Sequence, residues 1–185
     1  MEEIKDRFSV KATAAILEIK EIIKEHGDKK IGEVTLSQAY QGMRGITGLV
    51  TETSLLDAQE GIRFRGFSIP ELQAKLPKAP NGDEPLPEGL FYLMMIGELP
   101  AERDVKKVTS NWQRRSHVPS HVFDVIDAFP INSHPMTMYV AAVMALQTES
   151  KFAQAYAKGV NKKDYWQYTY DDSMDLIARL PRIAA

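Results

Sequence analysis

Arg44 is the residue whose type and surroundings best suit it to chemistry. It lies in a run where glycine recurs at 42, 45 and 48. Glycine lets a backbone turn tightly and lets a ligand approach it closely. A guanidinium forks onto phosphate oxygens through two parallel hydrogen bonds, which a lysine cannot do. Spacing alone leaves two readings open: a phosphate contact, or a surface arginine in a turn. Lys162 and Lys163 follow Gly159 and make a second small basic spot. Residue type alone reads those lysines as solvated.

The remaining reactive side chains give little. His117 and His121 stand four apart, a metal-binding spacing on a continuous helix. Pro119 interrupts that helix and no nearby carboxylate completes a ligand set, so no metal is expected. His134 precedes Pro135 and reads as a helix-entry residue. His26 falls in the last turn of a helix, where a cation suits the dipole. Asp171, Asp172 and Asp175 read as a solvated helix face. No cysteine is present, which excludes disulfides, thiolate metal sites and a cysteine nucleophile. Neither a nucleophile-elbow GxSxG nor a phosphate-binding GxGxxG or GxxxxGK[ST] occurs.

The composition bounds the partners. With 185 residues, 44% of them hydrophobic, the chain can bury one core and one domain. A formal charge of −2 gives no basic field for nucleic acid. The longest apolar run, near 136–146, falls well short of the roughly 20 residues a membrane span needs. The first twenty residues alternate acid and base and have neither a signal peptide's apolar stretch nor a transit peptide's composition. A soluble intracellular protein is expected.

The elements that must position Arg44 are mostly helices. Ile4, Phe8, Ala12, Ile16, Ile19 and Ile23 predict an amphipathic helix over 4–26, stopped by Gly27. Thr35 predicts the cap of a short helix through Tyr40. Strand composition returns at 49–56 and 62–67, with a hairpin loop at 57–61 and Gly61 free to take a positive φ. Glu52 could then pair with Arg63 or Arg65. Ser68 and Pro70 open a helix to about Leu76, and the prolines of 77–87 mark an irregular loop.

Residues 88–96 are apolar nearly all round and predict a buried helix ended by Gly97. A polar surface helix is expected over 101–116, with Val105, Val108 and Trp112 as its inner edge. Helices follow at 119–129 and 135–148, the second apolar on most faces, which suggests a helical dimer interface. Further helices are expected at 150–157 and 165–180, with Pro181 as the stop. The fold class is therefore all-α with one small β-hairpin near 49–67. The chain closes in helical, apolar sequence, which reads as cut rather than finished.

Residues 40–69 resemble citrate synthase of the dimeric type found in mitochondria and some bacteria. The likeness rests on Tyr40-Gln41-Gly42-Met43-Arg44-Gly45, Glu52-Thr53-Ser54, Leu56-Asp57, and Glu60 to Gly66 with Ser68-Ile69-Pro70-Glu71. It continues through 84–91, Pro119-Ser120-His121-Val122, His134-Pro135-Met136, Phe152-Ala153 with Ala155-Tyr156-Ala157, Tyr165-Trp166 and 175–181. Gln41 stands where the family has glycine, and Val118 where it has leucine.

The resemblance implies a two-domain helical enzyme that condenses acetyl-CoA with oxaloacetate and water to citrate and CoA. An aspartate deprotonates the acetyl methyl group in that family, two histidines assist, and arginines hold oxaloacetate. None of the motifs carrying those residues occurs here, so no catalytic residue is assigned. Residues 1–185 would form the N-terminal part of the large domain, inactive alone, with the rest of that domain and the small domain absent. Arg44 matches a family arginine that contacts CoA phosphate. Lys162 stands at a second such position and keeps the charge without the fork. No cofactor is expected, since acetyl-CoA is a substrate. The helices near 119–129 and 135–148 match the family's dimer interface, which implies a homodimer. A bacterial cytoplasm is the first expected location, and the mitochondrial matrix for a eukaryotic source. The alternatives are a 2-methylcitrate synthase acting on propionyl-CoA, and a non-catalytic helical interaction module.

Overall fold

The computed structural model describes residues 2–185. The chain divides into two compact units, Met1–Val105 and Lys106–Ala185.

The first unit opens with α1 (Glu2–His26) and α2 (Leu36–Tyr40), followed by β1 (Ser54–Asp57), β2 (Gly61–Phe64) and β3 (Phe67–Ser68), then α3 (Ile69–Lys75) and α4 (Pro87–Ile96). The three strands form one antiparallel sheet in sequence order. The expected hairpin is present, with Ser54 opposite Phe64 and Asp57 opposite Gly61. Its first arm is shorter than the composition suggests. The partner strand ends at Phe64, where Arg65 and Gly66 both take positive φ, 48° and 86°, and reverse the chain. Residues 49–52 therefore have no strand to pair with. That reversal is the primed two-residue turn that suits strand twist. It creates β3, a strand too short for composition to signal.

Leu72, Leu76 and Leu93 form this unit's buried core, with Phe64, Phe67 and Leu90 packed against it. Ser68 caps α3 as expected, and the structure adds a reciprocal capping box with Glu71. Every residue of 88–96 is buried or half-buried, and Gly97 ends α4 at φ 81°. The proline loop after α3 is closed at its base by a bridge between Lys78 and Pro85.

Only the first turns of α1 are fixed. Ile4 is buried, and Arg7 and Lys11 both pair with Glu98, at 2.8 and 2.6 Å. The Arg7 guanidinium also lies 5.5 Å from the centre of the Tyr92 ring. Beyond Lys11 the predicted apolar face is exposed, including Ile16, Ile19 and Ile23. The α4 end reaches no further along the helix.

The division between the units falls within α5 (Glu102–Arg115). The second unit continues with α6 (Ser120–Asp127), α7 (Pro135–Ala145), α8 (Lys151–Ala157) and α9 (Tyr165–Ala184). Two 3₁₀ turns, Leu146–Glu149 and Lys162–Asp164, precede α8 and α9. The core is Val118, Val122, Ala142, Leu146 and Ile183. Ile183 explains one difference from expectation: α9 runs through Pro181 to Ala184. An internal proline loses a backbone hydrogen bond, and burial of Ile183 beyond it holds the last turn in place. Among the described residues, no helix is long and apolar enough to cross a membrane.

Candidate functional site

The backbone presents Arg44 at a corner. Thr35 and Gln38 form a reciprocal capping box at the start of α2. At the other end Met43 N–H donates to Gln38 O at 2.8 Å and Gly42 N–H to Ala39 O at 3.4 Å. This pair, with Gly42 at φ 74°, is the Schellman ending of a helix. A β-turn follows at once, closed by Ile46 N–H to Met43 O at 3.3 Å. Arg44 and Gly45 are its central residues, and Gly45 has φ 72°. A positive φ there is the type II requirement, which glycine meets without strain. Arg44 is exposed, and its guanidinium has no partner among the described residues. Gly42 and Gly45 therefore have distinct tasks, one ending the helix and one turning the chain, with the arginine held out between them.

The hairpin arginines are engaged elsewhere. Arg63 pairs with Glu60 at 2.9 Å. Arg65 donates to Met94 O at 2.8 and 3.2 Å and lies 3.8 Å from Glu52. The Glu52 partner is thus Arg65. Asp57 accepts from the Gln59 and Glu60 amides at 2.7 and 2.9 Å, and these hydrogen bonds hold its carboxyl below the ordinary range.

Lys162 belongs to the second unit, so the two expected phosphate contacts lie in different units. It occupies the 3₁₀ turn Lys162–Asp164, exposed, with no side-chain partner among the described residues. Asn161 fixes that turn: its side chain accepts from Lys163 N–H at 3.0 Å and its carbonyl from Asp164 N–H at 2.9 Å.

The acidic cluster is not a solvated face. Arg115 donates to Asp175, to Asp171 at 3.2 Å and, through Nε, to Asn111 at 2.7 Å. Lys151 Nζ donates to the other oxygen of Asp175 at 2.7 Å. Asp172 accepts from Ser150 Oγ, Lys151 N–H and Phe152 N–H at 2.6, 2.8 and 3.0 Å. Burial alone would raise the Asp175 carboxyl. The hydrogen bonds from Lys151 and Arg115, and their charges, outweigh burial and hold it low. Burial likewise draws the Arg115 guanidinium down, and Asp175 and Asp171 more than restore it. Side-chain spacing within α9 carries no sign of this, because the cations come from α5 and α8.

Two of the four histidines take structural places. His121 shares a 3.1 Å contact with Ala145 O at the end of α7, and His134 Nδ1 accepts from Met136 N–H at 3.2 Å as the α7 cap. Among the described residues, no three His, Cys, Asp or Glu groups are placed to hold a metal.

Comparison with known proteins gives one answer. The family described as "Citrate synthase, C-terminal domain" matches residues 42–185. The chain is 56% identical, over 98% of its length, to the mitochondrial citrate synthase of Aspergillus niger, and covers 38% of that protein. It is 55% identical, over the same share, to the mitochondrial 2-methylcitrate synthase of Yarrowia lipolytica, and covers 39% of it. The chain thus spans well under half the length of these relatives. Among solved structures, the citrate synthase of Pyrobaculum aerophilum is similar with a TM-score of 0.61 at 23% identity, covering 84% of this chain and 38% of that one. At that identity the likeness concerns the fold, and it agrees with a mainly helical architecture.

Proposed function

The chain belongs to the citrate synthase family, and we propose on that premise that it is part of an enzyme condensing acetyl-CoA with oxaloacetate and water to citrate and CoA. It corresponds in this reading to the N-terminal part of the large helical domain. Its share of the work is binding and scaffolding. Arg44 contacts a CoA phosphate through two guanidinium hydrogen bonds, and Lys162 supplies a second, single-point charge. The proton transfers and the hold on oxaloacetate belong to residues outside these 185. Acetyl-CoA is a substrate, and no cofactor or metal takes part.

One observation supports this reading: an exposed guanidinium, unpaired among the described residues, held out by a Schellman ending and a type II turn. A 2-methylcitrate synthase is the second reading, favoured by the identity with the Yarrowia lipolytica enzyme. The mitochondrial names of the relatives favour the mitochondrial matrix as location, and nothing in them supports the bacterial cytoplasm expected first. Self-association through α6 and α7 completes the proposal, since Met136, Val140 and Met144 on α7 are exposed at helical spacing.

Two measurements test it. Purified chain in a thiol-release assay with acetyl-CoA and oxaloacetate forms no citrate above blank, and clear turnover would overturn the assigned share. Titration of the labelled chain with CoA, followed by amide shifts, moves the 42–46 signals. Arg44→Lys weakens that binding by about tenfold through loss of the fork. Equal affinity in the two proteins removes Arg44 from the site.

A further inference from the structure

We propose that Asp172 is a positioning residue for Lys162, acting through the α8–α9 hairpin; the inference rests on the reading of Lys162 as a phosphate contact.

Lys162 sits in the loop between α8 and α9, and its place depends on how those helices are set against each other. Their packing is aromatic on one side. The Phe152 and Tyr165 rings meet edge to face at 5.1 Å, and Tyr156 lies 6.0 Å from Tyr165. Such contacts hold helices together and tolerate sliding. Register needs directional bonds, and Asp172 supplies them. Its carboxylate, two turns into α9, takes the Ser150 hydroxyl and the Lys151 and Phe152 amides. Those amides are the free donors of the first turn of α8, which a carboxylate satisfies. Asp175, one turn further on, takes the Lys151 ammonium.

The bolt is therefore at one end of α8 and the loop at the other. Seven residues of helix separate them, roughly 10 Å at 1.5 Å per residue. A helix that short moves as a rod. Releasing its first turn shifts Gly159 and the Asn161-centred turn that carries Lys162. Asp172 touches no ligand in this scheme; it sets where Lys162 stands.

The experiment is a double-mutant cycle on the 185-residue chain, read by amide shifts and hydrogen exchange. In ligand-free protein, Asp172→Asn speeds exchange at the Lys163 and Asp164 amides and leaves the middle of α9 protected. Unchanged exchange at 163 and 164 overturns the positioning role whatever CoA does. With CoA as ligand, and pantetheine, which carries no phosphate, as control, Lys162→Ala and Asp172→Asn each weaken CoA by about threefold. The double variant is no weaker than Lys162→Ala alone, whereas additive losses overturn the inference. If Lys162→Ala leaves CoA binding unchanged, the phosphate reading fails instead, and the exchange result still judges Asp172 separately. Should Asp172→Asn lose its fold, Asp172→Glu displaces the carboxylate, leaves the Ser150 cap on Ala153 N–H in place and carries the same comparison. A faster 163–164 exchange in Asp172→Glu supports the role, and none overturns it.

Discussion

Arg115 and Asp175 stand 60 residues apart in sequence and pair as the centre of a shielded charge cluster. Their side chains retain 11% and 12% of their exposure. Asp171 and Asn111 take further Arg115 donors, and Lys151 takes the second Asp175 oxygen. Groups this shielded lose much of their hydration on folding, so removing one partner strands the other. The cluster joins α5, α8 and α9 in the unit that carries Lys162.

Asp175→Asn is expected to cost about 2–4 kcal/mol, near the range for breaking a buried pair. Lys151 and Asp171 remain to soften the loss. A urea midpoint with unchanged slope reads it. Replacing both members, as Arg115→Met with Asp175→Leu, costs less than the sum of the two single replacements, because neither is left facing the other's shielded charge. A change under about 0.5 kcal/mol for Asp175→Asn would mean a solvated pair of the ordinary surface kind.

The same group gives a pH dependence. The Asp175 carboxyl is held low in the folded chain, through hydrogen bonds and charge that outweigh burial. In the unfolded chain it titrates near its ordinary value, about 3.9. Above that value the stabilisation is complete; it is lost as pH falls through the folded value. Unfolding free energy measured from pH 6 downward falls more steeply in the parent chain than in Asp175→Asn. The two curves converge as pH falls through the folded value. Parallel curves would show that Asp175 is not depressed.

The features legible in sequence were those built from near neighbours. The caps Thr35 and Ser68 and the glycines Gly61 and Gly97 act within four residues, and each stands where the pattern predicts. The turn around Arg44 was legible for the same reason, since the glycine spacing points to one. The Arg115 cluster was not, because its members come from three helices and each helix alone looks solvent-facing. α9 passing Pro181 was hidden similarly: the local rule says stop, and burial of Ile183 decides otherwise. On α1 the error ran the other way. An apolar stripe reads as buried, yet periodicity says nothing of what stands opposite it.

Gly89→Ala is expected to stabilise the first unit. Gly89 lies inside α4 without a positive φ, so its backbone freedom is only lost on folding. A new Cβ would meet Leu76 Cδ2 at 3.5 Å and Val105 Cγ2 at 3.7 Å, both ordinary contacts. The gain is about 0.5–1 kcal/mol from helix propensity alone. A rise in urea midpoint checks it, and a fall would show that the α3–α4 approach is tighter than these distances.

Met136, Val140 and Met144 recur at four-residue spacing on α7, with 58%, 52% and 72% of their surfaces exposed. Residues four apart share one face of a helix, so the three form a continuous stripe. Ala142, on another face, is fully buried against the α6–α7 core. The stripe can therefore be altered without opening that core. Val140→Glu with Met144→Glu adds two like charges to the stripe while α7 keeps its inner packing. Self-association through this face, measured by light scattering across a concentration series, weakens by at least about tenfold for two charges left without partners. Circular dichroism of the variant matches the parent, because neither side chain is in the core. A parent chain that stays monomeric at the highest concentration removes α7 as an interface. A variant that associates as well as the parent moves the interface elsewhere.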